Sequence, residues 1–303
     1  MQKKDYVNLF SLAAIWGASF LFMRLAAPAF GAVNTAFLRV TFALLALGVM
    51  LPALRVRFDF NHKLRLCLTL GVINSGLPFL MYCIAARFLP AGYSAILNAT
   101  TPLMGAFIGC LFFHEPATLK KIAGVVIGLA GITLITTTAG GVHSVRQALA
   151  GVGACLTATA CYAVAGFLTK RWIPASGGLD AKLVATGSQM GATLFLLPFF
   201  LWSMMTAPPV NWRQPAAWGC ILALGVICTA LAYILYFRLI ADIGPLSAMT
   251  VTFLIPPSGV LWGYLILGET LSDGFIICSA VVGLAVWMII SAGGGRGAPR
   301  PDK

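Results

Sequence analysis

Stretches of about 20 mostly apolar residues, the length a helix needs to cross a bilayer, take up nearly the whole chain. Ten can be marked out, roughly over 6–27, 33–54, 64–86, 91–113, 119–138, 147–169, 180–203, 215–239, 245–267 and 272–291. What lies between them is too short to fold as a soluble catalytic module. Composition agrees. Hydrophobic residues make up 60% of the chain, charged residues 9%, and the mean hydropathy is +0.94, values foreign to a soluble domain.

The second half repeats the first. Gly71, Tyr82, Pro102, Gly105, Gly109, Leu111 and Glu115 recur 154 positions later as Gly225, Tyr236, Pro256, Gly259, Gly263, Leu265 and Glu269. Earlier segments align at an offset of 146, which pairs Trp16 with Tyr162, Arg24 with Lys170 and Pro52 with Pro198. The difference between the offsets fits a longer loop around Pro208 and Pro209. An odd number of spans per copy turns the two copies upside down relative to each other. The expected fold is therefore an all-α membrane protein of ten transmembrane helices. They form two inverted five-helix repeats around a central cavity, one over 1–140 and one over 141–303 with a cytoplasmic tail. Many alternating-access carriers are built this way.

The net charge of +12 is a topology signal. With the N-terminus inside, the cytoplasmic bases are Lys3, Lys4, Arg55, Arg57, Lys63, Arg65, Lys120, Lys121, Lys170, Arg171, Lys182, Arg238, Arg296, Arg300 and Lys303. The outer ends carry only Arg24, Arg87, Arg146 and Arg213. This asymmetry predicts that both termini are cytoplasmic, in a bacterial inner membrane, with lipid and not nucleic acid as the charged neighbour. Lys3 and Lys4 before an apolar run, with Ala27-Pro28-Ala29 after it, resemble a leader faintly. The run is long for one, and 151–169 is its counterpart in the repeat, so no cleavage is expected. The eight cysteines contain no CxxC and nearly all lie in apolar spans, so neither a disulfide, a metal nor a cofactor is expected.

Several classes are disfavoured. His62, His114 and His143 fall in loops or at span ends, as do all the acids: Asp5, Asp59, Glu115, Asp180, Asp242, Glu269, Asp273 and Asp302. No span holds a nucleophile with a base, or a carboxylate pair, as an intramembrane enzyme requires. No Walker A loop, TVGYG-like filter or basic S4 helix is present.

The polar and irregular positions cluster. Prolines interrupt span three at Pro78, span four at Pro102 and span nine at Pro256-Pro257, with Pro102 and Pro256 repeat-equivalent. Asn74 and Ser75 precede Pro78. Ser94, Asn98, Thr100 and Thr101 precede Pro102, and Thr250 and Thr252 precede Pro256. Carbonyls freed by a kink must pair with protein or face a wet cavity, and matched kinks point to a transport site. Trp16, Tyr82, Tyr162, Tyr233, Tyr236 and Phe253 are candidates to line that cavity, while Tyr93 and Tyr264 fit the interfacial belt. GxxxG pairs at Gly105–Gly109, Gly124–Gly128 and Gly259–Gly263 predict close helix packing. Arg39 is the one charge well inside a span. Two readings stand: a partner for a substrate carboxylate, or an arginine that snorkels to the interface or binds helix-end carbonyls.

Ile15-Trp16-Gly17-Ala18-Ser19-Phe20, Leu38-Arg39, and the glutamates Glu115 and Glu269 that close spans four and nine together resemble the drug/metabolite transporter superfamily, EamA type. The resemblance covers nearly the whole chain. It implies ten helices around a central cavity and export of amino acids, aromatic ones included, and related metabolites. Nucleotide-sugar and triose-phosphate carriers are more distant relatives, and the interior Lys/Arg clusters they use are missing here. Tyr162 and Ala185 stand where the pattern of the first half has Trp and Arg. The expected activity is secondary export of small amphipathic solutes by a monomer, without obligatory proton coupling. Substrate contacts are expected from Trp16, Asn74, Tyr82, Asn98, Thr101, Tyr162, Tyr233, Tyr236, Thr252 and Phe253. The alternatives are a related metabolite carrier or a passive channel or flippase.

Overall fold

The computed structural model describes residues 3–56, 58–60, 62–115, 118–138, 145–175, 179–207, 210, 212–243, 251–269 and 273–293. Pro208, Pro209, Arg57, His143, Thr250, Asp302, Arg296, Arg300 and Lys303 lie outside these residues, as does the side chain of Lys170. The helices, in chain order, are α1 (Lys3–Phe30), α2 (Ala32–Ala53), α3 (Leu64–Ala85), α4 (Ala91–Phe112), α5 (Leu119–Thr138), α6 (Val145–Ala175) and α7 (Ala181–Thr206). They continue with α8, built of Pro215–Leu222, Ala223–Leu231 and Ala232–Ile243, then α9 (Val251–Leu267) and α10 (Asp273–Gly293). No strand occurs among the described residues. Among the described residues, seven helices (α1 to α4 and α6 to α8) are long and apolar enough to cross a membrane. The chain is an all-helical, multi-pass membrane protein.

Local chemistry sets the ends and breaks. Gly31 at φ +85° turns α1 into α2 within one residue, a conformation open to glycine and strained for residues with a Cβ. Asn34 Nδ2 donates to the Phe30 carbonyl at 2.7 Å, and Arg24 Nη1 donates to Ala86 O at 2.7 Å, so the ends of α1 and α3 keep partners away from water. In α4 the chain breaks between Asn98 and Thr101, just before Pro102. Thr100 and Thr101 hydroxyls donate to the carbonyls of Leu97 and Asn98, both at 2.7 Å, taking up groups the broken ladder leaves free. By contrast α9 runs on through Pro256 and Pro257. The equivalent prolines therefore act differently in the two halves.

Two π-helical turns were not foreseen. Val72–Gly76 widens α3 ahead of Pro78, and Ala223–Leu231 widens α8. The 154-residue offset carries 72–76 onto 226–230, inside the second turn. A wider turn adds a residue to the ladder and re-aims the side chains around it.

The packing has matched pairs. α1 lies on α9 and α6 on α4; α3 meets α7 and α8 meets α2; α5 pairs with α10. A Cβ on Gly71 would collide with the carbonyl oxygen of Ser188 in α7. A Cβ on Gly225, its repeat mate, would lie 2.6 Å from Phe42 Cβ in α2. The 146-residue offset relates Ser188 to Phe42, so equivalent glycines meet equivalent neighbours. Gly259 would bring a Cβ to 2.6 Å from Ala95, and Gly17 one to 2.6 Å from Ser258, so α1, α4 and α9 approach closely. Gly124 faces Ile289 of α10, and Gly128 lies against Leu103 of α4 with Ala285 of α10 beyond. Gly105 differs from the expectation: nothing lies within 4 Å of its would-be Cβ, and only Gly109 of that pair packs, against Phe167.

Candidate functional site

The interior carries a line of rings. Trp16 of α1 lies 5.3 Å from Tyr236 of α8, centroid to centroid. Phe20, one turn on, meets Tyr82 of α3 edge-on at 5.4 Å, and Tyr82 stacks on Tyr162 of α6 at 6.1 Å. The Tyr82 hydroxyl donates to Asn98 Oδ1 at 2.8 Å, which ties α3 to the break in α4. Trp16, Tyr82, Asn98, Tyr162 and Tyr236 are thus joined through contacts that draw on both halves. Thr101 sits beside them, with its hydroxyl bound to the Asn98 carbonyl.

A second polar cluster lies on the π turn of α3. Ser75 is its hub: it shares a hydrogen bond with Ser188 at 3.3 Å and accepts from Gln189 Nε2 at 3.1 Å, with the Tyr233 hydroxyl beside it. Gln189 is fully buried and its Oε1 finds no partner. Ser188, Gln189 and Thr229 escaped the reading of the sequence. The signal was present, because Thr229 is the 154-residue repeat mate of Ser75 and both hydroxyls fall in a π turn.

Arg39 is turned inward and only 4% exposed. Its Nε donates to Thr229 Oγ1 at 3.2 Å, its Nη1 to Met23 Sδ at 3.4 Å, and its carbon lies 3.7 Å from the centre of the Phe79 ring. It neither snorkels nor caps carbonyls, so that reading is corrected. The helical phase of α2 points residue 39 at α1 and α8, away from lipid.

Other candidates fall elsewhere. Phe253 is 42% exposed and, with Pro256, lines an apolar crevice of about 380 Å³ between α4, α9 and α10, bounded also by Ile96, Gly283 and Val286. Thr252 and Asn74 are half-buried, the latter on the π turn beside Ser75. Tyr93 is buried at 5% exposure, contrary to its expected place in the belt, whereas Tyr264 is exposed. Trp262 packs α9 onto α1 by donating to Ala14 O at 3.0 Å. At the C-terminal end of α9, Gly268 (φ +63°) turns Glu269 back. There both carboxylate oxygens accept from the Ala91 N–H, at 3.0 and 3.1 Å, at the start of α4. Among the described residues no three His, Cys, Asp or Glu side chains gather to hold a metal.

Ring faces, one amide and a few hydroxyls, with a guanidinium behind them, suit an amphipathic solute. The chain is similar to the probable terminal-alkyne amino-acid exporter of Streptantibioticus cattleyicolor, 24% identical over 276 residues that cover 91% of this chain and 89% of that one. Protein PecM of Dickeya dadantii is 28% identical over 280 residues, 91% and 88% of the two chains. The probable amino-acid metabolite efflux pump of Salmonella typhimurium is 24% identical over 295 residues, 94% of each. A protein crystal structure shares the fold at a TM-score of 0.65 and 16% identity, covering 98% of this chain and 100% of the other. The model of the EamA-like transporter family matches residues 4–137 and 149–291, and the chain belongs to that family.

Proposed function

We propose that the chain is a secondary transporter that exports amino acids, aromatic ones included, and related small metabolites by alternating access. The observation that carries this reading is the convergence of Trp16, Tyr82, Tyr162, Tyr236 and Asn98 on one interior line. Flat rings stack on flat solutes, and the sparse polar groups orient without demanding one chemistry, which gives broad specificity. Two relatives, one named as an amino-acid exporter and one as an amino-acid metabolite efflux pump, span nearly the whole chain and support the substrate class.

Ten helices in two inverted halves, 1–140 and 141–303, supply the mechanism. The two-part family match, the equivalent π turns and the Gly71–Ser188 and Gly225–Phe42 contacts support that arrangement. Halves that rock about such an axis open the ring line to each side in turn. The monomer acts in the bacterial inner membrane with both termini cytoplasmic. Proton coupling is not obligatory, a reading supported by described acids that all stand at helix ends or in loops. An uptake screen of purified protein in liposomes across amino acids tests the reading. Saturable uptake of phenylalanine, tyrosine or leucine upholds it, and failure to carry any amino acid refutes the substrate class.

A further inference from the structure

Among the described residues the guanidinium of Arg39 meets no counter-charge. It spends one N–H on Thr229 Oγ1 and one on Met23 Sδ, which leaves three of its five donors unused. The Thr229 hydroxyl gives its own proton to Leu224 O at 2.8 Å, an i−5 bond that the π turn allows, and so offers Arg39 only an acceptor. Sulfur and a ring face are weak partners for a full charge. The other groups within its electrostatic reach are Tyr162 of α6, Tyr233 and Cys228 of α8, and Cys83 of α3, all neutral. The acids whose side chains are described (Asp5, Asp59, Glu115, Asp180, Asp242 and Glu269) all stand at helix ends or in loops, and no ion pair joins Arg39 to a described carboxylate.

A lone charge at this depth is costly, and such residues usually serve a function. Arg39 is the eighth residue of α2, about 10 Å along the helix from its first residue. Packing alone would be served as well by an apolar side chain of similar volume, often with a gain in stability. The missing element is an anion that arrives and leaves.

We propose that Arg39 is the receptor for a carboxylate on the transported solute, which its unused Nη edge holds in the planar two-point geometry that guanidinium and carboxylate share. Tyr162 belongs both to the surroundings of Arg39 and to the ring line. A carboxylate at Arg39 therefore leaves the rest of the solute to lie along Tyr162, Tyr82 and Trp16. In this structure the guanidinium is covered, so the anion reaches it when the halves part. The assignment deepens the reading above and rests on it only for the solute being an amino acid. The carboxylate is the part recognised here.

The test uses the full chain in nanodiscs, as wild type, Arg39→Met and Arg39→Lys, with thermal protection as the readout. The probes are phenylalanine against phenylalaninamide, and benzoate against benzamide; the members of each pair differ in the carboxylate. Phenylalanine is expected to protect the wild type, with the amide far weaker. Arg39→Met should fold and bind phenylalanine about 30-fold or more weakly with little change for the amide. Arg39→Lys should recover part of the loss. Wild type that binds acid and amide equally overturns the assignment, as does a folded Arg39→Met that keeps its affinity for the acid. If Arg39→Met does not fold, the acid–amide comparison in the wild type decides. Protection by benzoate but not by phenylalanine upholds Arg39 and refutes the amino-acid reading; protection by neither acid overturns Arg39.

Discussion

Tyr82→Phe removes one hydroxyl and nothing else. In the structure that hydroxyl donates to Asn98 Oδ1 at 2.8 Å, and the ring, 2% exposed, is held between Phe20 and Tyr162. The substitution strands the amide oxygen, and an acceptor stranded in a protein interior costs about 1–3 kcal/mol. Asn98→Leu strands the hydroxyl instead, at a similar cost. The double variant strands neither. Its loss of stability should fall short of the sum of the singles by about 0.6–1.7 kcal/mol, the range measured for hydrogen bonds between membrane helices. Chemical unfolding of the purified protein in micelles gives the four stabilities, and phenylalanine uptake by liposomes gives the four rates. The pair borders the proposed path, so uptake should stay low in the double variant even as stability returns. Strictly additive losses would refute the hydrogen bond as a coupling. Wild-type uptake by the double variant would refute the placement of the path.

Trp16→Ala removes the ring that meets Tyr236 at 5.3 Å. It should raise KM for aromatic amino acids about 2- to 10-fold more than for alanine, the worth of one ring contact, whereas equal losses would mark Trp16 as packing. Glu269→Ala leaves the Ala91 N–H without its acceptor and should cost about 0.5–2 kcal/mol, with Glu269→Gln costing less because it keeps an acceptor oxygen. Melting curves in micelles that rank the two variants the other way would contradict that role. A cysteine at Ser144 should react with an impermeant thiol reagent from outside intact cells; reaction only after permeabilisation overturns the orientation.

The helices were legible because an apolar run of bilayer length says the same thing at every residue. The observed boundaries lie close to the expected ones in α1 to α5, α7 and α10, while α6 and α8 run on past theirs to Ala175 and Ile243. The ring line was legible in part, since Trp16, Tyr82, Tyr162 and Tyr236 are polar-tipped rings deep in spans. What escaped depends on rotation about helix axes and on tertiary contact. Arg39 stands out in sequence as the one charge inside a span and Phe253 as one ring among several, and only the phase of α2 and α9 sends one inward and the other to the crevice. The π turns leave no local signature beyond Gly71 and Gly225, which let α7 and α2 approach the helices that carry them. Tyr93 looks interfacial by position, yet the start of α4, where Glu269 meets Ala91, keeps it buried.

The central claim is that two halves exchange access to one interior site. Substrate counterflow tests it most directly. Liposomes that hold the purified protein and a high internal load of unlabelled phenylalanine are diluted into a trace of labelled phenylalanine, with pH and voltage clamped on both sides. An alternating-access carrier without obligatory coupling should accumulate label transiently above its equilibrium level. Label that only equilibrates indicates a channel. Accumulation that needs an imposed proton gradient, and that Glu115→Gln or Glu269→Gln abolishes, would contradict the account.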